Sequence, residues 1–238
     1  MRRSSIHLCA VAALAATVQT ASAASLQVAP ILVEVPAPGA ASNVTLRNEG
    51  PRAVNAQVRV FRWTQADGED VLEPTDAVVA SPPTASLASR TDYLLRIVRT
   101  GRGAVAQEEA YRLLVDELPD AAEGKPGTIA MVLRHSVPVF FTPPEGEGPA
   151  LTWSSEVKDG RLNVTAVNEG GRRLRLAGLK VTDGKQTISF GAGLSGYVLA
   201  GSSMTWSRPV RGFNMAAAKV SAQGDLGPIN APAPPRGR

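Results

Sequence analysis

Beyond residue 25 the chain is written almost throughout in period two. Val54, Ala56, Val58 and Val60 alternate with Asn55, Gln57 and Arg59, the pattern of a strand with one buried face. After Val60 the apolar phase moves to Phe61 and Trp63, which predicts a bulge. Ser25–Val35 alternates loosely and stops at Pro36-Ala37-Pro38-Gly39. Asn43–Asn48 is closed by Glu49-Gly50-Pro51, and Ser81-Pro82-Pro83 is a loop. Tyr93–Arg99 and Tyr111–Leu118 are strands flanking a turn region at Gly101-Arg102-Gly103, and Thr128–Phe141 is the longest predicted strand. No amphipathic helix of three turns emerges, so the fold class is all-β.

The pattern breaks at Pro143-Pro144-Glu145-Gly146-Glu147-Gly148-Pro149, where proline and glycine set the backbone and no other apolar side chain occurs. Strands resume near Leu151 and at Leu162–Val167, Arg173–Val181, Gln186–Phe190, Met204–Pro209 and Ala217–Ala222. Two halves echo each other. Asn43-Val44-Thr45-Leu46-Arg47-Asn48-Glu49-Gly50-Pro51-Arg52 matches Asn163-Val164-Thr165-Ala166-Val167-Asn168-Glu169-Gly170-Gly171-Arg172 at seven of ten positions, offset by 120. Chance between two common hairpins is one explanation; a duplicated sandwich is the favoured one. The expected organisation is two tandem immunoglobulin-like β-sandwich domains over 24–143 and 151–230, a linker at 144–150 and a disordered tail at 231–238.

The first residues change the setting. Arg2 and Arg3 precede an apolar run from Leu8 to Val18, too short to span a bilayer, and Ala21-Ser22-Ala23 fits a cleavage site. Residues 1–23 are expected to be a removable signal peptide, and no later stretch has the length and apolarity for membrane insertion. The formal charge of +4 falls to +2 without Arg2 and Arg3, which is no nucleic-acid-binding excess. Apolar residues at 44% supply a core, and aromatics at 5% are too few for a stacking surface. Cys9 and His7 leave with the signal, so the mature chain holds His135 and no Cys. That removes His/Cys zinc sites, Cys nucleophiles and disulfides, and points away from an enzyme. No metal or cofactor is expected. Asp116 and Glu117 are adjacent on a strand and so face opposite ways, which disqualifies them as a carboxylate pair flanking one bond. Asp67-Gly68-Glu69-Asp70 lacks the later Glu of a calcium loop and reads as a hairpin tip. Arg172-Arg173-Leu174-Arg175 reads as a solvated face, and the three tryptophans as core.

The segment 128–141 carries most information. One face reads Ile129, Met131, Leu133, His135, Val137, Val139, Phe141; the other contains Arg134 and Pro138. Pro138 lacks an N–H and is tolerated mainly on an edge. Two readings stand: an edge strand made to pair with a partner, or a central strand with a bulge at Pro138.

Leu26-Gln27-Val28-Ala29-Pro30-Ile31, Tyr111-Arg112-Leu113-Leu114-Val115-Asp116-Glu117-Leu118-Pro119, Ser136-Val137-Pro138-Val139-Phe140 and Gly196-Tyr197-Val198-Leu199-Ala200-Gly201 together resemble the PapD-like periplasmic pilus chaperones of the chaperone–usher pathway, nearest the archaic or spore-coat-type branch. The resemblance implies donor-strand complementation: pilus or fimbrial subunits missing their last strand receive a chaperone strand, then pass to an outer-membrane usher. The donor residues map to Ile129, Met131 and Leu133. Family members anchor the subunit's terminal carboxylate with an Arg on the first strand and a Lys on the last; here Leu32 and Pro138 fall there. Arg112, Arg134 and Arg96 are the basic candidates, Arg112 first because its strand should neighbour the donor strand. A structural salt bridge to Asp116, Glu117 or another acid is the competing role for each. The implied location is the periplasm, and self-association through the edge strand is a further expectation. The alternative is a secreted structural pilus subunit or adhesin built from the same sandwiches.

Overall fold

The structure, a computed structural model, describes residues 26–119 and 132–236. Eighteen strands make up the described chain. The first ten are β1 (Leu26–Ala29), β2 (Val33–Pro36), β3 (Ala41–Asn48), β4 (Val54–Ala66), β5 (Glu69–Pro74), β6 (Val78–Ser81), β7 (Thr84–Leu87), β8 (Asp92–Arg99), β9 (Glu109–Leu118) and β10 (Arg134–Thr142). The remainder are β11 (Leu151–Lys158), β12 (Arg161–Asn168), β13 (Leu174–Thr182), β14 (Thr187–Ser189), β15 (Leu194–Val198), β16 (Ser203–Pro209), β17 (Lys219–Gly224) and β18 (Gly227–Pro232). One 3-10 turn, Met215–Ala217, interrupts them, and no helix among the described residues could cross a membrane.

The first ten strands form one sandwich. Sheet β1-β3-β8-β6 faces sheet β2-β10-β9-β4-β5, to which β7 adds along β4. Leu26, Val44, Leu46, Leu95 and Ile97 meet Val58, Tyr111, Leu113, Val139 and Phe141 between them. The last eight form a second, with β11-β12-β16 against β14-β13-β17-β18 and β15 beside β13. Its core gathers Trp153, Leu162, Val164, Leu176, Val181 and Val220. Among the named strands every pairing is antiparallel except β2 with β10, and an isolated bridge between Ser155 and Pro235 is also parallel. The all-β, two-sandwich expectation holds.

The sequence echo is a structural one. Asn48 ends β3 and its side-chain amide donates to the carbonyls of Arg52, Leu87 and Ala88, while Oδ1 accepts from Gly50 N. Asn168 ends β12 and does the same with Arg172, Val198, Leu199 and Gly170. Both are fully buried, so each amide satisfies its own polar atoms and ties off the following turn at once.

Three local expectations are corrected. The longest described strand is β4, not 128–141; β10 begins at Arg134, and 128–131 lie outside the described residues. The phase change at Phe61 is no bulge, since β4 pairs with β9 in unbroken register from Asn55 to Arg62. Trp63 is buried on the opposite sheet face because the second sandwich covers that face. The tail is also ordered as far as Arg236. Ala231 and Pro232 belong to β18, and Ser155 exchanges hydrogen bonds with Pro234 and Arg236.

Candidate functional site

β10 is an edge along part of its length and a central strand along the rest, and it has no bulge at Pro138, since its register with β9 is unbroken from Arg134 to Phe141. Arg134–Phe141 pairs on one side with β9, and Val139–Thr142 pairs on the other with β2. From Arg134 to Pro138 the second side has no strand neighbour among the described residues. Pro138, without an N–H, stands where the neighbour begins, so its missing donor breaks no ladder bond there. Val137, Val139 and Phe141 point into the core. His135 Nε2 donates to Leu26 O at 3.0 Å, a structural contact. The ladder continues past Arg134, because Glu117 N donates to Leu133 O at 2.9 Å. Leu133 is partly exposed, and Ile129 and Met131 lie outside the described residues.

The outer face of the same sheet carries cross-strand rows, which the register defines. Pro138 stands opposite Arg112, Arg112 opposite Phe61, and Phe61 opposite Pro74. The next row contains Phe140 opposite Ala110 and Trp63 opposite Leu72. Against that row the second sandwich lays Tyr197 and Leu199, forming a small cluster with Trp63, Ala110 and Phe140; Leu32 packs at its margin. Trp63 and Tyr197 meet edge to face at 5.4 Å between centroids. The sandwiches thus join along an aromatic seam, and Arg112 lies at its edge.

Arg112 is held over Trp63, its guanidinium carbon 3.7 Å from the ring centroid and 5.8 Å from that of Tyr197. Burial pushes its pKa down, with nearby Asp70 opposing. Yet its guanidinium makes no hydrogen bond among the described residues; its nearest charged partner is Asp70, 4.0 Å from Nη2. A partly desolvated fork of five donors with no acceptor is suited to an incoming carboxylate.

The other basic candidates are placed differently. Asp116 bonds Arg59 at 2.6 Å and also Arg134, which stands opposite it in the register. Burial raises the Asp116 carboxyl, but the hydrogen bonds from Arg134 and Arg59 prevail and hold it low. Arg134 is therefore already paired. Arg96 does not join the site: β8 belongs to the other sheet, where Arg96 stands opposite Asn43 and Ser81, exposed between buried Leu95 and Ile97.

Two functional elements escaped the sequence reading. Arg173, expected on a solvated face, is buried; it bonds Glu108 at 2.6 Å and Glu34, stacks 3.6 Å over Phe140, and gives its backbone N–H to Glu108. Gln65 bridges the sandwiches through its amide: Nε2 donates to Tyr197 O at 2.8 Å and Oε1 accepts from Leu199 N at 2.9 Å. Beside it the Asp67–Gly68 tip touches the second sandwich, as Thr205 N donates to Gly68 O at 3.1 Å. A Cβ on Gly68 would lie 2.6 Å from Thr205 Oγ1, so only glycine fits. No set of acidic, His or Cys residues among those described could hold a metal ion.

This arrangement, two sandwiches joined by a seam with a long-strand edge beside it, is that of the pilus-assembly chaperones. Residues 25–147 match the family of pili and flagellar-assembly chaperones through its PapD N-terminal domain, and the chain belongs to that family. It is a chaperone and not a structural pilus subunit. The chain is similar to one in the crystal structure of the CsuC–CsuE chaperone–tip adhesion subunit complex from archaic chaperone–usher Csu pili of Acinetobacter baumannii. That likeness has a TM-score of 0.69 and 25% identity, over 87% of this chain and 98% of that one. It is also similar in fold to a chain of the Salmonella enterica SafA pilin–SafB chaperone complex, at TM-score 0.59 and 21% identity over 87% and 95% of the two chains. The E. coli chaperone DraB matches at TM-score 0.58 and 20% identity over 87% and 98%. No match was found among curated proteins.

Proposed function

We propose that this chaperone holds pilus subunits by lending them the segment that enters β10, with Ile129, Met131 and Leu133 filling the subunit's open groove. The alternation that buries Val137, Val139 and Phe141 continues through those positions in the sequence, so one face serves its own core first and a partner's core beyond it. Arg112 receives the subunit's C-terminal carboxylate. The observation that carries this reading is the stacked, partly desolvated and acceptor-free guanidinium of Arg112, opposite Pro138 on the donor strand. Arg134 and Arg96 take no part in the anchor. The protein works in the periplasm and hands its cargo to an outer-membrane usher, by binding alone and without a catalytic step. In its free form a second copy of the chain competes for the open edge of Arg134–Pro138.

The test is co-expression with candidate small secreted subunits, followed by co-purification. Serine at Ile129, Met131 and Leu133 together should abolish the complex while the chain's melting temperature stays put. Arg112→Ala should weaken a formed complex about thirtyfold, roughly 2 kcal/mol. If the triple variant simply unfolds, the segment is core and the donor reading fails.

A further inference from the structure

Asp70 lies on β5, the far edge of the sheet that carries Arg112, and its carboxylate stands 4.0 Å from the guanidinium without hydrogen-bonding it. What holds it there is Gln65, whose Nε2 donates to Asp70 Oδ1 at 2.9 Å. The same amide nitrogen bonds Tyr197 O and the amide oxygen accepts from Leu199 N. One side chain thus fixes two things: the contact between the sandwiches and the position of the only acid beside Arg112 among the described residues.

Resting on the reading of Arg112 as carboxylate anchor, we propose that Asp70 is a built-in counter-ion that the subunit's carboxylate must displace from influence, and that Gln65 positions it. Arg112 sits in a partly desolvated setting over Trp63, where a bare cation is costly. Asp70 offsets part of that cost in the free chaperone. Because it stays 4.0 Å away, it leaves all five guanidinium donors available. An arriving carboxylate gains the fork but meets the like charge of Asp70, which lowers affinity and speeds release. A chaperone has to surrender its cargo, and a nearby competitor charge limits how tightly the anchor grips. Asp70 is 43% exposed, so water screens the repulsion to a modest size.

The experiment uses the full chain labelled to report the Arg112 Nε–H resonance. The probes are two N-acetyl dipeptides alike in sequence, one with a free C-terminal carboxylate and one amidated. Wild type should favour the carboxylate. Asp70→Asn keeps an acceptor for Gln65 and removes the charge; it should bind the carboxylate probe about fivefold more tightly and the amide probe no differently. Asp70→Ser is the second variant, with the same expected sign. Gln65→Ala, which frees Asp70 to swing onto Arg112, should weaken carboxylate binding instead. If Asp70→Asn and Asp70→Ser discriminate the probes as wild type does, with unchanged affinity, the counter-ion idea is overturned while the anchor stands. If no protein, wild type included, prefers carboxylate over amide at Arg112, the anchor and the counter-ion fall together.

Discussion

Asn48 and Asn168 do the same task 120 residues apart, but the connection after the next-to-last strand differs between the two sandwiches. In the second, β17 turns into β18 through Asp225 and Leu226 alone, a tight hairpin at the sheet edge. In the first, residues 119–133 separate β9 from β10. The strand that follows gains a parallel neighbour, β2, along only its second half. The shared features hold each sandwich together, and the length of this connection sets the first one apart. The asparagine tie is common to both sandwiches, and the loop is not.

The most disruptive way to test the shared plan is to cut both ties. Asn48→Ala leaves the carbonyls of Leu87 and Ala88 without the amide that joins them to the β3 turn, and Asn168→Ala does the same to Val198 and Leu199. Each loss strands buried polar groups and should cost about 3 kcal/mol. By calorimetry each variant should show its own sandwich melting first, about 10 °C lower, with the other retained. Small shifts of one shared transition in both variants would mean that neither amide is a keystone of its own sandwich.

Much of this comparison was visible in the sequence. Period-two patterning located the strands, and seven identities in ten exposed the paired asparagines. The expectation that Arg112's strand neighbours the one that carries Pro138 also holds, since the two residues stand opposite each other. What stayed hidden depends on register and docking. Asp116 meets Arg59, 57 residues earlier, only because β4 and β9 pair in one register among several that the pattern permits. Phe61 and Trp63 broke the alternation because both faces of β4 are covered there, and a bulge mimics that signal. Arg173 looked solvated because a run of arginines usually is. Its burial needs Glu108 and Phe140 from the other sandwich, which no local window contains.

The seam between the sandwiches gives the next largest effect. Glu108 is almost entirely buried as a side chain, and it satisfies both the backbone N–H and the guanidinium of Arg173. Glu108→Ala leaves a buried cation with Glu34 as its remaining acid, and should cost about 3 kcal/mol. The loss falls on the docking and not on either core. Two separated melting transitions and a more extended solution scattering profile are therefore expected. Glu108→Gln keeps an acceptor and should do less. A single undisturbed transition in Glu108→Ala would show that Gln65 and the aromatic cluster alone hold the sandwiches together.

The smallest effect distinguishes two Asp-Gly turns in corresponding places. After β4 the turn at Asp67 and Gly68 is shaped by the backbone, with φ of 54° and 80°. After β13 the turn is held by a carboxylate: Asp183 Oδ1 accepts from Lys185 N and Gln186 N, both at 2.9 Å, and Oδ2 from Asn214 N at 3.0 Å. The Asn214 N–H, followed by those of Gln186 and Lys185, pulls the Asp183 pKa down to about 2. Its folded value lies below the unfolded one, near 4. The stabilisation is thus complete above about pH 4 and fades as pH falls toward 2. Over that range the amides of Gln186 and Asn214 should lose protection from hydrogen exchange, while those around Asp67 keep theirs. Asp183→Asn should exchange faster at neutral pH and lose the acid-dependent step. If its acid profile matches that of wild type, some other carboxylate governs the second turn, and the two Asp-Gly turns are alike after all.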